Sequence, residues 1–166
     1  MEKEQPTRKG IRLQGHDYSS AGAYFITVCV KDKNELLGRI VGDAALRVPC
    51  CELSEHGIFV DVQIRKISTI YPEAFVDNYV IMPNHIHMIV SIVDMGGTRR
   101  GASPTKAVLP QIVQGLKSIT TKQFGVNIWQ RSYHDHIIRN EAEYQKIWQY
   151  IDENPQTWTN DRYYTK

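Results

Sequence analysis

The chain has 166 residues, of which 42% are apolar and 23% charged, with a formal net charge of +2. That length supports one compact domain with a sizeable core, and the composition excludes a disordered or fibrous chain. No apolar run is long enough to cross a bilayer, and the polar start MEKEQPTRKG lacks the apolar stretch of a secretory signal, so the expected compartment is the cytoplasm. Three cysteines, Cys29, Cys50 and Cys51, with no C-x-x-C spacing, read as reduced thiols and not as a zinc clip. Residues 1–98 hold 10 Lys+Arg against 12 Asp+Glu, and residues 99–166 hold 10 against 6. Basic character therefore collects late in the chain, which fits a polyanionic partner and equally an ordinary charged surface.

Residues 1–15 read as a loose basic arm and 16–160 as a single domain without repeats. Residues 23–30 (AYFITVCV) are β-branched and aromatic and predict a strand, with 37–41 expected to pair with it. Ser54 suits a helix N-cap. Phe59, Val62, Ile67 and Ile70 follow at roughly helical spacing, and Pro72 marks the end. Residues 75–82 and 85–93 predict two strands broken at Pro83-Asn84. Residues 94–105 form a Gly-rich basic loop. A helix is expected over 110–124, with Ile112, Val113, Leu116 and Ile119 as its apolar face and Gly125 as its C-terminal cap. Residues 128–138 predict another strand. Residues 141–153 predict a last helix, capped by Asn140 and closed by Pro155. This order predicts an α+β domain: a mainly antiparallel sheet with helices on one face and a ferredoxin-like split βαβ core.

Two patterns carry chemistry. In a strand, side chains two apart share a face, so His85 and His87 project together while Ile86, Met88 and Val90 face a core. Two neutral imidazoles on a rigid strand make half of a metal site, or simply two histidines on an exposed sheet face. A second pair, His134 and His136, has polar Asp135 between its members and ranks below the first as a metal site. Its histidines suit phosphate contact or the site's edge. In the last helix, Tyr144, Ile147, Trp148 and Ile151 form one apolar stripe, which makes Tyr144 a core residue. Tyr150 lies off that stripe and shares a flank with Asn154 one turn later. These two residues suit a nucleophile and a hard oxygen ligand, or a half-exposed tyrosine beside an Asn-Pro helix stop.

Taken together, YFITVCV, YVIMPNHIHMIV, GLKSITTKQF, IWQRSYHDHIIRNEAEY and YIDENP resemble the HUH single-tyrosine transposases, most nearly the REP-associated tyrosine transposases. The resemblance runs from about residue 24 to 155. It implies an HUH endonuclease fold, a metal site formed by His85, His87 and Asn154, and Tyr150 as nucleophile. The implied reaction is metal-dependent nicking and rejoining of single-stranded or hairpin DNA through a 5′-phosphotyrosine, with Mg²⁺ or Mn²⁺ as cofactor, in a monomer or homodimer. Arg99, Arg100, Lys106, Lys117, Lys122, Arg131 and Arg139 are candidate DNA contacts or solvated charges, and Trp129 and Tyr133 candidate stacking surfaces or core aromatics. The alternatives are a non-catalytic nucleic-acid binding module on the same fold, a metal-dependent nuclease that uses water, and an inactive descendant.

Overall fold

The computed structural model describes residues 21–42, 48–94 and 108–164. The expected basic arm, the loop candidates Arg99, Arg100 and Lys106, and most of the Gly-rich loop lie outside the described residues. Six strands and four α-helices follow in chain order: β1 (Gly22–Cys29), β2 (Gly38–Val41), β3 (Cys50–Leu53), α1 (Glu55–Arg65), α2 (Ile67–Ile70), β4 (Ala74–Met82), β5 (His85–Ile92), α3 (Val108–Phe124), β6 (His134–Ile138) and α4 (Glu141–Glu153). The main sheet has the order β4-β5-β1-β6, and every pairing in it is antiparallel. Counting its strands along the chain, the order is second, third, first, fourth, which is the split βαβ arrangement expected. The domain is α+β with an antiparallel sheet.

Strand alternation divides the sheet into two faces. Ile26, Val28, Ile86, Met88 and Val90 are fully buried on one face. They pack there with Val60 and Ile64 of α1, Ile67 of α2, and Leu109, Ile112, Val113 and Leu116 of α3. Helices α1 to α3 therefore cover one face, as expected. Helix α4 lies across the other, over the face that carries His85 and His87.

Several elements depart from expectation, each for a physical reason. Residues 37–41 do not pair with the first strand, because β5 and β6 occupy both edges of β1. Instead β2 pairs with β3 in a separate ribbon. The first long helix breaks at Lys66, whose backbone N–H turns back to Gln63 and Ile64. Its buried side is Val60, Ile64 and Ile67, while Val62 is 40% and Ile70 58% exposed. Apolar residues surround α1, so spacing alone did not identify the buried stripe. In α3, Ile119 is outside the core and Leu109 and Thr120 are inside.

The expected strand 128–138 joins the sheet only from His134. Ahead of it, Trp129 makes a single bridge to Val30 and donates its indole N–H to Thr120 Oγ1 at 2.6 Å. Lys117 Nζ donates to the carbonyls of Gln130 and Ser132, so α3 pulls this segment out of the ladder. Helix α4 ends at Glu153 ahead of Pro155, as expected. The chain continues as a 3-10 turn, Asn154–Asn160, with Pro155 in its first positions, where the missing N–H costs nothing.

Candidate metal and tyrosine site

His85 and His87 lie on β5, each beside a residue of β1: Cys29 opposite His85 and Thr27 opposite His87. Both imidazoles are buried, 0% and 2% exposed, and their Nε2 atoms face each other at 3.0 Å. Their outer nitrogens are held by neighbours. His85 Nδ1 meets Asn84 Oδ1 at 2.9 Å, and His87 Nδ1 meets Thr27 Oγ1 at 2.8 Å.

The Asn84 amide has a fixed orientation, since its Nδ2 donates to the carbonyls of Lys33 and Tyr163. Its Oδ1 is therefore an acceptor, His85 carries its proton on Nδ1, and His85 Nε2 offers a bare lone pair. The partner Nε2 must then bring a proton, or a cation must lie between the two rings. Thr27 accommodates both states, because its hydroxyl can donate to or accept from His87 Nδ1. Burial pushes the His85 pKa down to about 4. Burial, with the neighbouring His85, holds His87 well below the usual imidazole range. Both rings are neutral at neutral pH, as ligands must be.

The third component arrives from beyond the last helix. Asp161, at the end of the 3-10 turn, places a carboxylate oxygen with one nitrogen of each histidine, all within 4.8 Å of one another. Asn154 is fully buried. Its Nδ2 donates to Asp161 Oδ2 at 3.2 Å, while its Oδ1 is buried with no hydrogen-bond partner. An oxygen stripped of water and without a donor, on a side chain whose amide nitrogen holds the Asp161 carboxylate, suits a hard divalent cation. The donor set fits the expected metal. Asp161 is an addition that sequence reasoning did not single out.

Tyr150 reaches this group from α4. Its Oη lies 3.3 Å from His87 Nε2 and 3.3 Å from Asp161 Oδ2. Its ring stands edge-on to Phe25 at 6.1 Å. Burial, then Asp161, pushes the Tyr150 pKa up to about 12, so the phenol is protonated at neutral pH. Tyr144, expected in the core, is only half-buried and donates to Asp77 Oδ2 at 3.0 Å. Of its stripe only Ile151 is buried.

A cleft of about 270 Å³ opens over the tyrosine, lined in part by Phe25, His87, His134, Asp135, His136 and Arg162. The second histidine pair thus lies at the site's edge, and His136 Nε2 bonds Glu143 at 2.7 Å. A separate groove of about 740 Å³ runs between α3 and residues 127–131, lined by Lys31, Lys117, Lys122 and Arg131 among polar neighbours. Lys122 and Arg131 are exposed there, whereas the Lys117 amine is committed to two carbonyls. Arg139 is exposed outside that groove, at the start of α4. Trp129 is fully buried and offers no face for stacking. Tyr133 is half-buried, with Lys117 Nζ 6.0 Å from its ring centre.

No protein-family model matches the chain. An uncharacterised protein of Haemophilus influenzae is 33% identical, covering 95% of this chain and 93% of the relative. Among solved structures, a REP-associated tyrosine transposase bound to a REP hairpin superposes with a TM-score of 0.63 at 21% identity, covering 89% of this chain and 74% of that one. The chain belongs to one family with the Haemophilus influenzae protein, and its fold is that of a REP-associated tyrosine transposase.

Proposed function

We propose that the protein is a metal-dependent transesterase that nicks and rejoins single-stranded DNA through a 5′-phosphotyrosine on Tyr150. The observation that carries this reading is the position of the Tyr150 hydroxyl, 3.3 Å from both His87 Nε2 and Asp161 Oδ2. A core tyrosine needs no imidazole pair, and a histidine pair in a plain binding module needs no phenol.

His85, His87 and Asp161 would hold a divalent ion, Mg²⁺ or Mn²⁺, with Asn154 Oδ1 available as a further oxygen ligand. Such an ion supplies Lewis-acid polarisation of the scissile phosphate. Tyr150 Oη attacks phosphorus, forming an O–P bond as the P–O3′ bond breaks. The phenolic proton passes to Asp161 Oδ2, the acceptor it already faces, and the leaving oxygen takes up a proton from water as a 3′-OH. Attack by a 3′-OH reverses the sequence, and the phosphotyrosine conserves the bond energy. The cleft over Tyr150 admits an unpaired strand more readily than a stacked duplex. The solved relative bound to a REP hairpin supports hairpin DNA as the substrate. Lys31, Lys122 and Arg131 give the separate groove between α3 and residues 127–131 phosphate-binding character.

The test is incubation with labelled hairpin-containing single-stranded DNA pools and Mn²⁺ or Mg²⁺, followed by denaturing gels, beside Tyr150→Phe. A covalent protein–DNA band that is absent from the variant is expected. Cleavage retained in Tyr150→Phe would indicate a nuclease using water, and binding without cleavage would indicate a binding module.

A further inference from the structure

We propose that Arg162 is a further catalytic residue, whose guanidinium grips the non-bridging oxygens of the scissile phosphate while Tyr150 attacks it. The inference rests on the reading of Tyr150 as nucleophile. Among the described residues, Arg162 is the sole Lys or Arg lining the cleft that holds His87 and Tyr150. Its guanidinium lies over the Tyr163 ring, 4.6 Å from the centre, and donates to the Tyr163 hydroxyl. Tyr163 in turn packs against the metal-ligand candidates, 4.5 Å from the His85 ring and 5.9 Å from that of His87.

The backbone that carries the arginine is fastened at three points. Lys33 Nζ donates to the Arg162 carbonyl, Asn84 Nδ2 to the Tyr163 carbonyl, and the Tyr163 N–H to Asp161 Oδ1. The cation therefore sits on a fixed support beside the phenol, and it makes no salt bridge among the described residues. With no carboxylate partner among the described residues, the guanidinium is left to meet an anion that enters the cleft. A phosphodiester carries one negative charge and accumulates more as the fifth bond to phosphorus forms. A planar guanidinium matches two of its oxygens at once. In that step Arg162 neither gives nor takes a proton; Tyr150 Oη–P forms, P–O3′ breaks, and the phenolic proton goes to Asp161.

The experiment maps the cleavage site of the wild-type protein on a hairpin DNA with a single-stranded flank. It then compares wild type, Arg162→Gln and Arg162→Lys on that DNA and on one with a methylphosphonate at the mapped linkage. Affinities are read separately by fluorescence anisotropy in a Tyr150→Phe background. Arg162→Gln should form the covalent adduct about 100-fold more slowly at saturating DNA, on the scale of losing one oxyanion donor. Affinity should stay within a few-fold, and Arg162→Lys should recover part of the rate. On the methylphosphonate, where a charged oxygen is replaced by methyl, wild type and Arg162→Gln should react within a few-fold of each other. Equal rates on the natural linkage, or the same loss on both linkages, would overturn the role of Arg162 and leave Tyr150 intact. Failure of the wild-type protein to form any adduct would overturn the tyrosine reading and this one with it.

Discussion

Thr27→Val would separate the proposed metal-binding role of the histidine pair from its packing. Valine keeps the shape and the strand preference of threonine, and Thr27 is only 3% exposed, so little else changes. Without a cation, His87 donates from Nε2 to His85 Nε2 and accepts from Thr27 at Nδ1. The variant then loses a single neutral hydrogen bond, worth about 1 kcal/mol. Were His87 to hold a cation through Nε2, its Nδ1 would have to carry the proton. In the variant that N–H is buried with no acceptor, which costs about 1–3 kcal/mol, and more as the ligated ring is polarised. The expected result is a 10- to 100-fold loss of Mn²⁺ affinity by isothermal titration, with chelator-treated protein destabilised by no more than about 1 kcal/mol in urea unfolding. Unchanged metal affinity would refute the assignment of Thr27 as the acceptor that sets the His87 tautomer. An equal loss of stability with and without metal would show that its bond matters for packing alone.

Other outcomes follow from the same geometry. In chelator, the folded rings resist protonation while the unfolded chain binds protons below pH 6.5, so stability is lost as pH falls from about 6.5 towards the His85 pKa of about 4. The slope should be about 1.4 kcal/mol per pH unit for each histidine, read by urea unfolding, and should flatten in a His85→Gln/His87→Gln double variant. Asp77, the extra residue where β4 slips register against β5, accepts from Ser91 and from Tyr144 of α4. Asp77→Ala should cost about 1–3 kcal/mol of stability and raise hydrogen exchange in α4 ahead of the sheet. Replacing Lys122 and Arg131 together by alanine should reduce the salt dependence of DNA binding by roughly two counterions and leave metal affinity unchanged. Gly57→Ala should destabilise strongly in thermal melts, because the new methyl would lie 2.0 Å from the Leu37 carbonyl oxygen.

The histidine pair was legible because strand alternation is a strict period of two: Ile86 and Met88 mark the core side, so His85 and His87 must take the other. Periodicity places Tyr150 off the apolar stripe of α4 and leaves it open between a nucleophile and a half-exposed tyrosine; only the resemblance to the tyrosine transposases singles it out. The residues that complete the site were not legible. Asp161, Arg162 and Tyr163 follow a seven-residue 3-10 turn, Asn154–Asn160, where no hydrophobic period marks a face. Asn84 read only as half of a Pro-Asn turn signal. Two of its three hydrogen bonds go to the Lys33 and Tyr163 carbonyls, 51 and 79 residues away in sequence. Trp129 looked available for stacking because a strand pattern does not reveal that Thr120 of α3 captures its indole N–H.

The division of the sheet explains why the site tolerates this much buried polarity. Three helices cover one face with apolar contacts, so the opposite face need not supply most of the core. What it requires is that each buried polar group find a partner, and the β1–β5 register delivers one of them: Thr27 stands opposite His87 only in this alignment. A slip of one residue would turn both imidazoles into the apolar core and bring Ile86 and Met88 out under α4. The apolar packing of one face therefore fixes the register that assembles the polar cluster on the other. Substitutions at Ile86 or Met88 should accordingly act on metal affinity through strand alignment, although neither side chain faces the site.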